Sequence, residues 1–179
     1  MKMTFALVMA SALLAGCVSK PEGITPVDNF NATRYQGKWY EIARFDHRFE
    51  RGLSNVTADY RARDDGGIKV INRGYKDEKS EWTQSEGKAY FVESPDIGYL
   101  KVSFFGPFYG SYVVMDLDRE NYSWSLVTGN DKDYLWILSR TPTMDEATKK
   151  RLVDKAQALG YDTSKLIWVD QTRNQQASR

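Results

Sequence analysis

Cysteine and histidine are almost missing: the 179 residues hold one of each, Cys17 and His47. One cysteine excludes an internal disulfide, so the fold must rest on its own core. One histidine excludes a histidine-based metal cluster. It also leaves His47 as the only base for a serine triad, and no Gly-x-Ser-x-Gly elbow accompanies it. His47 sits in a charged stretch, where a surface imidazole is the ordinary reading. Phosphate loops and dinucleotide fingerprints are absent, and no cofactor is expected. Excess charge is lacking as well. Lys plus Arg is 25 and Asp plus Glu is 24, a formal charge of +1, which argues against electrostatic nucleic-acid binding. The length suits one domain. Aromatic residues are plentiful instead, with 11 Tyr, 8 Phe and 5 Trp. That composition suits half-buried strands and an apolar pocket with a polar rim.

No apolar run reaches the roughly 20 residues of a spanning helix. The run from Met3 to Ala15, behind Lys2, fits a secretory signal. It ends in Leu14-Ala15-Gly16-Cys17, which resembles the lipobox of bacterial lipoproteins. The resemblance implies cleavage before Cys17 and acylation of that residue, with palmitate as the type of chain. Val18 rather than Asp follows, which in such lipoproteins favours sorting to the outer membrane, facing the periplasm. An ordinary signal with an incidental cysteine is the alternative. Residues 1–16 are thus expected as signal peptide, 17–32 as lipidated N-terminus and tether, 33–172 as the folded domain and 173–179 as a tail.

From Trp39 onward the chain reads as short strands between turn signals, about 38–46, 55–63, 68–75, 81–92, 99–105, 109–117, 122–128 and 134–140. Asp64-Asp65-Gly66-Gly67 is a tight hairpin turn, and Ser94-Pro95-Asp96 and Gly106-Pro107 break the pattern elsewhere. Eight hairpin-linked strands predict an all-β, up-and-down antiparallel barrel, a size that can hold one small ligand. One helix follows, with Thr143 and Glu146 as a capping box, Leu152, Ala156 and Leu159 on one face, and Gly160 as its stop. Strands six to eight carry apolar residues on both faces. One set is Val113, Met115, Leu117, Tyr122, Trp124, Leu126, Leu135 and Ile137. One face therefore lines the barrel and the other is covered by the helix. A short last strand is expected at 166–169.

Gly37-Lys38-Trp39 resembles the Gly-x-Trp that opens the first strand of lipocalins. Asp116-Leu117-Asp118-Arg119 is a partial match to their second motif, and Arg140 to the arginine that ends their eighth strand. The segments from Phe45 to Gly52 and from Val102 to Gly110 are similar to the bacterial lipocalins in particular. The resemblance implies a lipocalin barrel with one C-terminal helix packed outside. Gly37, Trp39 and Arg140 would build its base, with Arg140 over the Trp39 ring. The second motif lacks Thr-Asp-Tyr, which separates the chain from animal members without touching the fold.

With Trp39 at the base, the loops at 47–54, 76–80, 106–108 and 129–133 fall at the mouth. Alternation from Trp39 sends Glu41, Ala43 and Phe45 into the lumen. The resemblance implies that Tyr60, Phe91, Val102, Phe104, Tyr112 and Val114 join Phe45 as ligand contacts, with Tyr134, Trp136 and Leu138 opposite. Tyr109 is the favoured polar contact at the rim. Arg44, His47, Arg48 and Arg51 are also expected there, where cations could meet a carboxylate or phosphate. Glu41 must find a partner, face water or take up a proton. Three functions follow. The first is an outer-membrane lipocalin, not an enzyme, that binds a fatty acid or lysophospholipid for envelope lipid storage, transport or repair. The second is a structural lipoprotein with a side-chain-filled barrel and a protein partner. The third is a lipid hydrolase or isomerase using His47. Phe49 and Phe108 at the rim would suit a homodimer or a membrane-facing surface.

Overall fold

Alternating apolar and polar residues become eight antiparallel strands in the computed structural model, which describes residues 18–177. They are β1 Gly37–Arg44, β2 Leu53–Ala62, β3 Ile68–Lys76, β4 Glu81–Phe91, β5 Tyr99–Phe105, β6 Phe108–Leu117, β7 Trp124–Thr128 and β8 Leu135–Ser139. Each strand bonds to the next, and β1 bonds to both β8 and β2, which closes the barrel. Closure leaves none of the eight with a bare edge to recruit another chain.

The closing seam is only half direct. Gly37–Tyr40 pair with Thr57–Tyr60 of β2, whereas Ala43 and Arg44 pair with β9 Ile167–Trp168. Where β1 and β2 diverge, Gln171 spans the gap. Its Nε2 donates to Glu41 O at 2.8 Å and to Val56 O at 2.9 Å. Asn55 N donates to Asp170 O at 2.7 Å. The residues expected as a tail begin instead inside α3 Thr172–Ala177, where Arg173 N donates to Asn55 Oδ1 and its guanidinium lies 3.9 Å from the Tyr75 ring centre.

The long helix is α2 Glu146–Ala158. Its cap is Asp145, not Thr143: the Asp145 carboxylate accepts from Thr148 N at 2.8 Å, while Thr143 O accepts from the Thr141 hydroxyl. Leu152 and Ala156 are fully buried against the outer face of the barrel, in one cluster with Val113, Leu126, Leu135 and Ile137. A second cluster, with Trp39 and Leu138, fills the lower barrel. Leu117 and Tyr122 belong to this inner cluster, contrary to the expected alternation. A register shift between Val114 and Asp116 swaps the face of Leu117, whereas Tyr122 precedes β7, in the turn, with a φ of +50°.

The supposed tether is packed. Ile24, Val27 and Phe30 are each under a tenth exposed. Val27 N donates to Val114 O, Gly98 N to Val27 O, and Phe30 N to Asp96 O, all at 2.8–2.9 Å. The strap continues into α1 Ala32–Tyr35, capped by Asn31, and so shuts the base of the barrel.

Candidate functional site

The upper barrel encloses a cavity of about 680 Å³. Eight of the expected contacts line it: Tyr60, Val102, Phe104, Tyr109, Tyr112, Tyr134, Trp136 and Leu138. They come from β2, β5, β6 and β8, whose alternate residues face inward, and from the loop before β8, while Tyr109 reaches the cavity from the rim end of β6. Phe91 and Val114 point the same way but lie in the packed layer below, Phe91 against Phe30 at 6.1 Å between ring centres. Loop residues His47 to Glu50, with Phe105, Phe108 and Asn130, mark the open end and place the mouth where it was expected.

Phe45 is a correction. Glu41 pairs with Leu138 and Ala43 with Ile137, so two steps along β1 answer one step along β8. The extra residue is a bulge, and past it every side chain changes face. Ile42, Ala43 and Phe45 therefore join the outer cluster, where Phe45 meets Tyr161 at 6.3 Å. Arg44 turns inward instead. It is 3% exposed and not part of a solvated rim.

That inversion supplies the partner for Glu41. Arg44 Nη1 donates to Glu41 Oε1 at 2.9 Å, and Nη2 donates to the backbone oxygens of Glu50 and Leu53. Glu50 reaches back into the cavity, accepting from His47 Nε2 at 2.6 Å and from the Trp136 indole at 3.1 Å. Burial, followed by the charge of Glu50, raises Glu41 well above the usual carboxyl range, and the protonated Glu41 carboxyl donates a hydrogen bond to the Glu50 carboxylate. Burial works against the charge on Glu50 too, but the hydrogen bond and charge of His47, with the hydrogen bonds of Glu41 and Trp136, together hold this carboxylate below its usual range. Glu50 was not singled out from sequence. Its one signal is position: it sits between Phe49 and Leu53 in an otherwise charged loop.

The rim is more apolar than expected. Phe49, Phe105 and Phe108 are 62%, 74% and 78% exposed. Arg48 lies 4.9 Å from the Phe49 ring, Arg51 pairs with Asp46, and Lys101 lies 5.0 Å from the half-buried Tyr109 ring. His47 is no surface imidazole. It packs between Phe49, Tyr134 and Trp136 at 5.4–6.1 Å.

At the floor, the Tyr60 hydroxyl donates to that of Tyr112 at 2.9 Å, and Tyr35 bridges Tyr112 and Ser125 at 2.8 and 2.9 Å. Burial pushes Tyr35 up to about 12 and raises Tyr60 and Tyr112 well above 10. All three therefore stay neutral and serve as walls.

Below the floor, the Arg140 guanidinium stands 3.9 Å from the Trp39 ring centre. It donates to the backbone oxygens of Arg34, Gln36, Lys38 and Tyr122 at 2.7–3.2 Å. Gly37 makes room: its φ is +94° and an added Cβ would stand 3.3 Å from Arg140 Nη1. No group of metal-ligating side chains occurs among the described residues. Cys17 lies outside them.

The lipocalin-like domain family matches residues 30–171. The outer membrane lipoprotein Blc of Vibrio cholerae is 58% identical, over 92% of this chain and 96% of its own. The protein of the same name from Escherichia coli K12 is also 58% identical, over 93% and 94%. Temperature-induced lipocalin-1 of Arabidopsis thaliana is 40% identical over 78% of each. Among solved structures, the cockroach allergen Per a 4 superposes with a TM-score of 0.68 at 23% identity, covering 89% of this chain and 99% of that one. Insecticyanin from Manduca sexta gives 0.66 at 19%, covering 85% and 86%. These two share the fold. With a closed eight-stranded barrel, Arg140 on Trp39 and such relatives, the chain belongs to the lipocalin family and, within it, to the bacterial outer-membrane lipoproteins.

Proposed function

We propose that this lipocalin binds a single-chain lipid, a fatty acid or lysophospholipid, while held to the periplasmic face of the outer membrane by acylated Cys17. Storage, transport or repair of envelope lipid is the role that suits such a carrier. The observation that carries the reading is the cavity of about 680 Å³, walled by Phe104, Tyr134 and Trp136. Ligand sites of roughly 300–1,000 Å³ with apolar walls and sparse polar groups are the usual pattern. Each methylene moved from water into such walls contributes about 0.8 kcal/mol before the costs of binding. A cavity of that volume supports this reading over the alternative, a structural lipoprotein with a side-chain-filled barrel and a protein partner.

Native mass spectrometry of the mature chain, purified from its own envelope in mild detergent, tests the proposal. A co-purifying single-chain lipid that is lost in Trp136→Ala supports it. An empty protein that takes up neither added fatty acid nor lysophospholipid overturns it. For the anchor, Cys17→Ser should abolish incorporation of labelled palmitate and release the protein from the membrane fraction. A homodimer would bury Phe105 and Phe108, and sedimentation of Phe108→Ser beside the unsubstituted chain tests that.

A further inference from the structure

The main cavity ends on a layer of tyrosines, and a second space lies under it. Tyr60 and Tyr112 line both the large cavity and a void of about 20 Å³. A void of that size admits about one water-sized sphere. Its other walls are Phe30, Tyr35, Ile68 and Leu100 and, shared with the large cavity, Val70 and Val102. The hydroxyls nearby are bonded to one another and to Ser125, so they leave little to hold a water.

The layer is braced from several sides. The Tyr60 and Tyr112 rings meet edge to face at 5.9 Å, on strands from opposite sides of the barrel. Tyr35 stacks on Tyr60 at 5.6 Å and is itself backed by Trp39 at 4.7 Å. An alkyl chain entering from the mouth would meet ring surfaces and closed hydroxyl bonds. It could go deeper only by parting the Tyr60 and Tyr112 rings, which close the floor edge to face.

We propose that this tyrosine layer is the stop that sets the longest alkyl chain the cavity accepts, making Tyr60 and Tyr112 the residues that determine chain-length specificity. The inference rests on the lipid-binding reading above. Below the limit, each added methylene raises affinity about fourfold. Beyond it, added carbons stay near the mouth and the gain ceases.

The test uses the mature chain carrying Cys17→Ser and two series of straight-chain fatty acids and lysophosphatidylcholines of increasing length, scored by displacement of an apolar dye. Affinity should climb and then level off in the unsubstituted cavity. Tyr112→Ala opens the floor and should carry the plateau to longer chains. Tyr112→Phe keeps the ring and should leave it in place. Val102→Phe, on a wall shared by both spaces, should bring it to shorter chains. A plateau at one length in all four proteins overturns the inference while leaving lipid binding intact. Failure of the unsubstituted cavity to bind any member overturns the lipid reading, and this inference with it. Should Tyr112→Ala not fold, an unmoved plateau in Val102→Phe is sufficient to reject the proposal.

Discussion

Arg44 donates to Glu41 across 2.9 Å with both side chains nearly sealed from water. Residues three apart in a regular strand face opposite ways. The bulge at Ile42 brings these two to the same side, inside the cavity wall. Without Arg44, the Glu41 carboxyl and the backbone oxygens of Glu50 and Leu53 would lose a buried donor. Arg44→Leu should therefore cost about 3 kcal/mol in urea unfolding. The double change Glu41→Leu with Arg44→Met should recover most of that loss.

Glu41 also sets a pH dependence. Its folded pKa lies above the ordinary 4.5, raised first by burial and then by Glu50. Between those two values the folded chain holds a proton that the unfolded chain has released. The stability from this group is complete below 4.5 and is lost as pH rises through the folded value. Glu50 has the opposite sign, since its folded pKa is lowered, and its contribution disappears on acidification. Denaturant midpoints across a pH series should show Glu41→Gln flattening the decline on the alkaline side while the acid limb persists.

Arg140 serves one ring and four carbonyls at once. A cation over a desolvated indole is worth about 2 kcal/mol, and hydrogen bonds from a charged group about 1.5–3 kcal/mol. Arg140→Ala should destabilise by about 3 kcal/mol or more, measured by urea unfolding. Arg140→Lys should recover less than half of it, because an ammonium lacks the planar fork that reaches several acceptors.

The strap gives a backbone test. If it is packed as described, the amides of Val27, Phe30, Gly98 and Val114 exchange slowly with solvent, each being bonded to a backbone oxygen. A free tether would exchange at Val27 and Phe30 within the dead time. Phe30→Ala should lower stability by about 3–5 kcal/mol and accelerate exchange at Gly98.

Trp136 is the one tryptophan lining the cavity. Binding of a brominated fatty acid should quench its emission, and Trp136→Phe should remove most of the quenching. Undiminished quenching in that variant would place the lipid elsewhere.

The strand pattern was readable because turns and alternation are local properties. All eight strands fall within two residues of their expected bounds. Trp39 and Arg140 could be paired because their motifs carry positions that the fold brings together. Phe45 was misplaced because a bulge has no local signature: Ile42 and Ala43 both suit a lumen and a helix-covered face. The strap was hidden by its polar residues, since Val27 and Phe30 are set among Thr25, Asp28, Asn29 and Asn31 with no periodicity to follow. Glu50 was missed because its partners, His47 and Trp136, depend on a loop folding back across the mouth.

The way the strap is laid down bears on how the protein would carry a mechanical load. A pull applied at the N-terminus loads the strap, and its contacts with β5 and β6, before it loads β1. It first meets the contacts of Val18 O with the Tyr99 hydroxyl and of Ser19 O with that of Ser111. Next come the bonds of Val27 to Gly98 and Val114, and then that of Phe30 to Asp96. Set in series along the strap, these bonds would share a load one after another before β1 is drawn from the barrel.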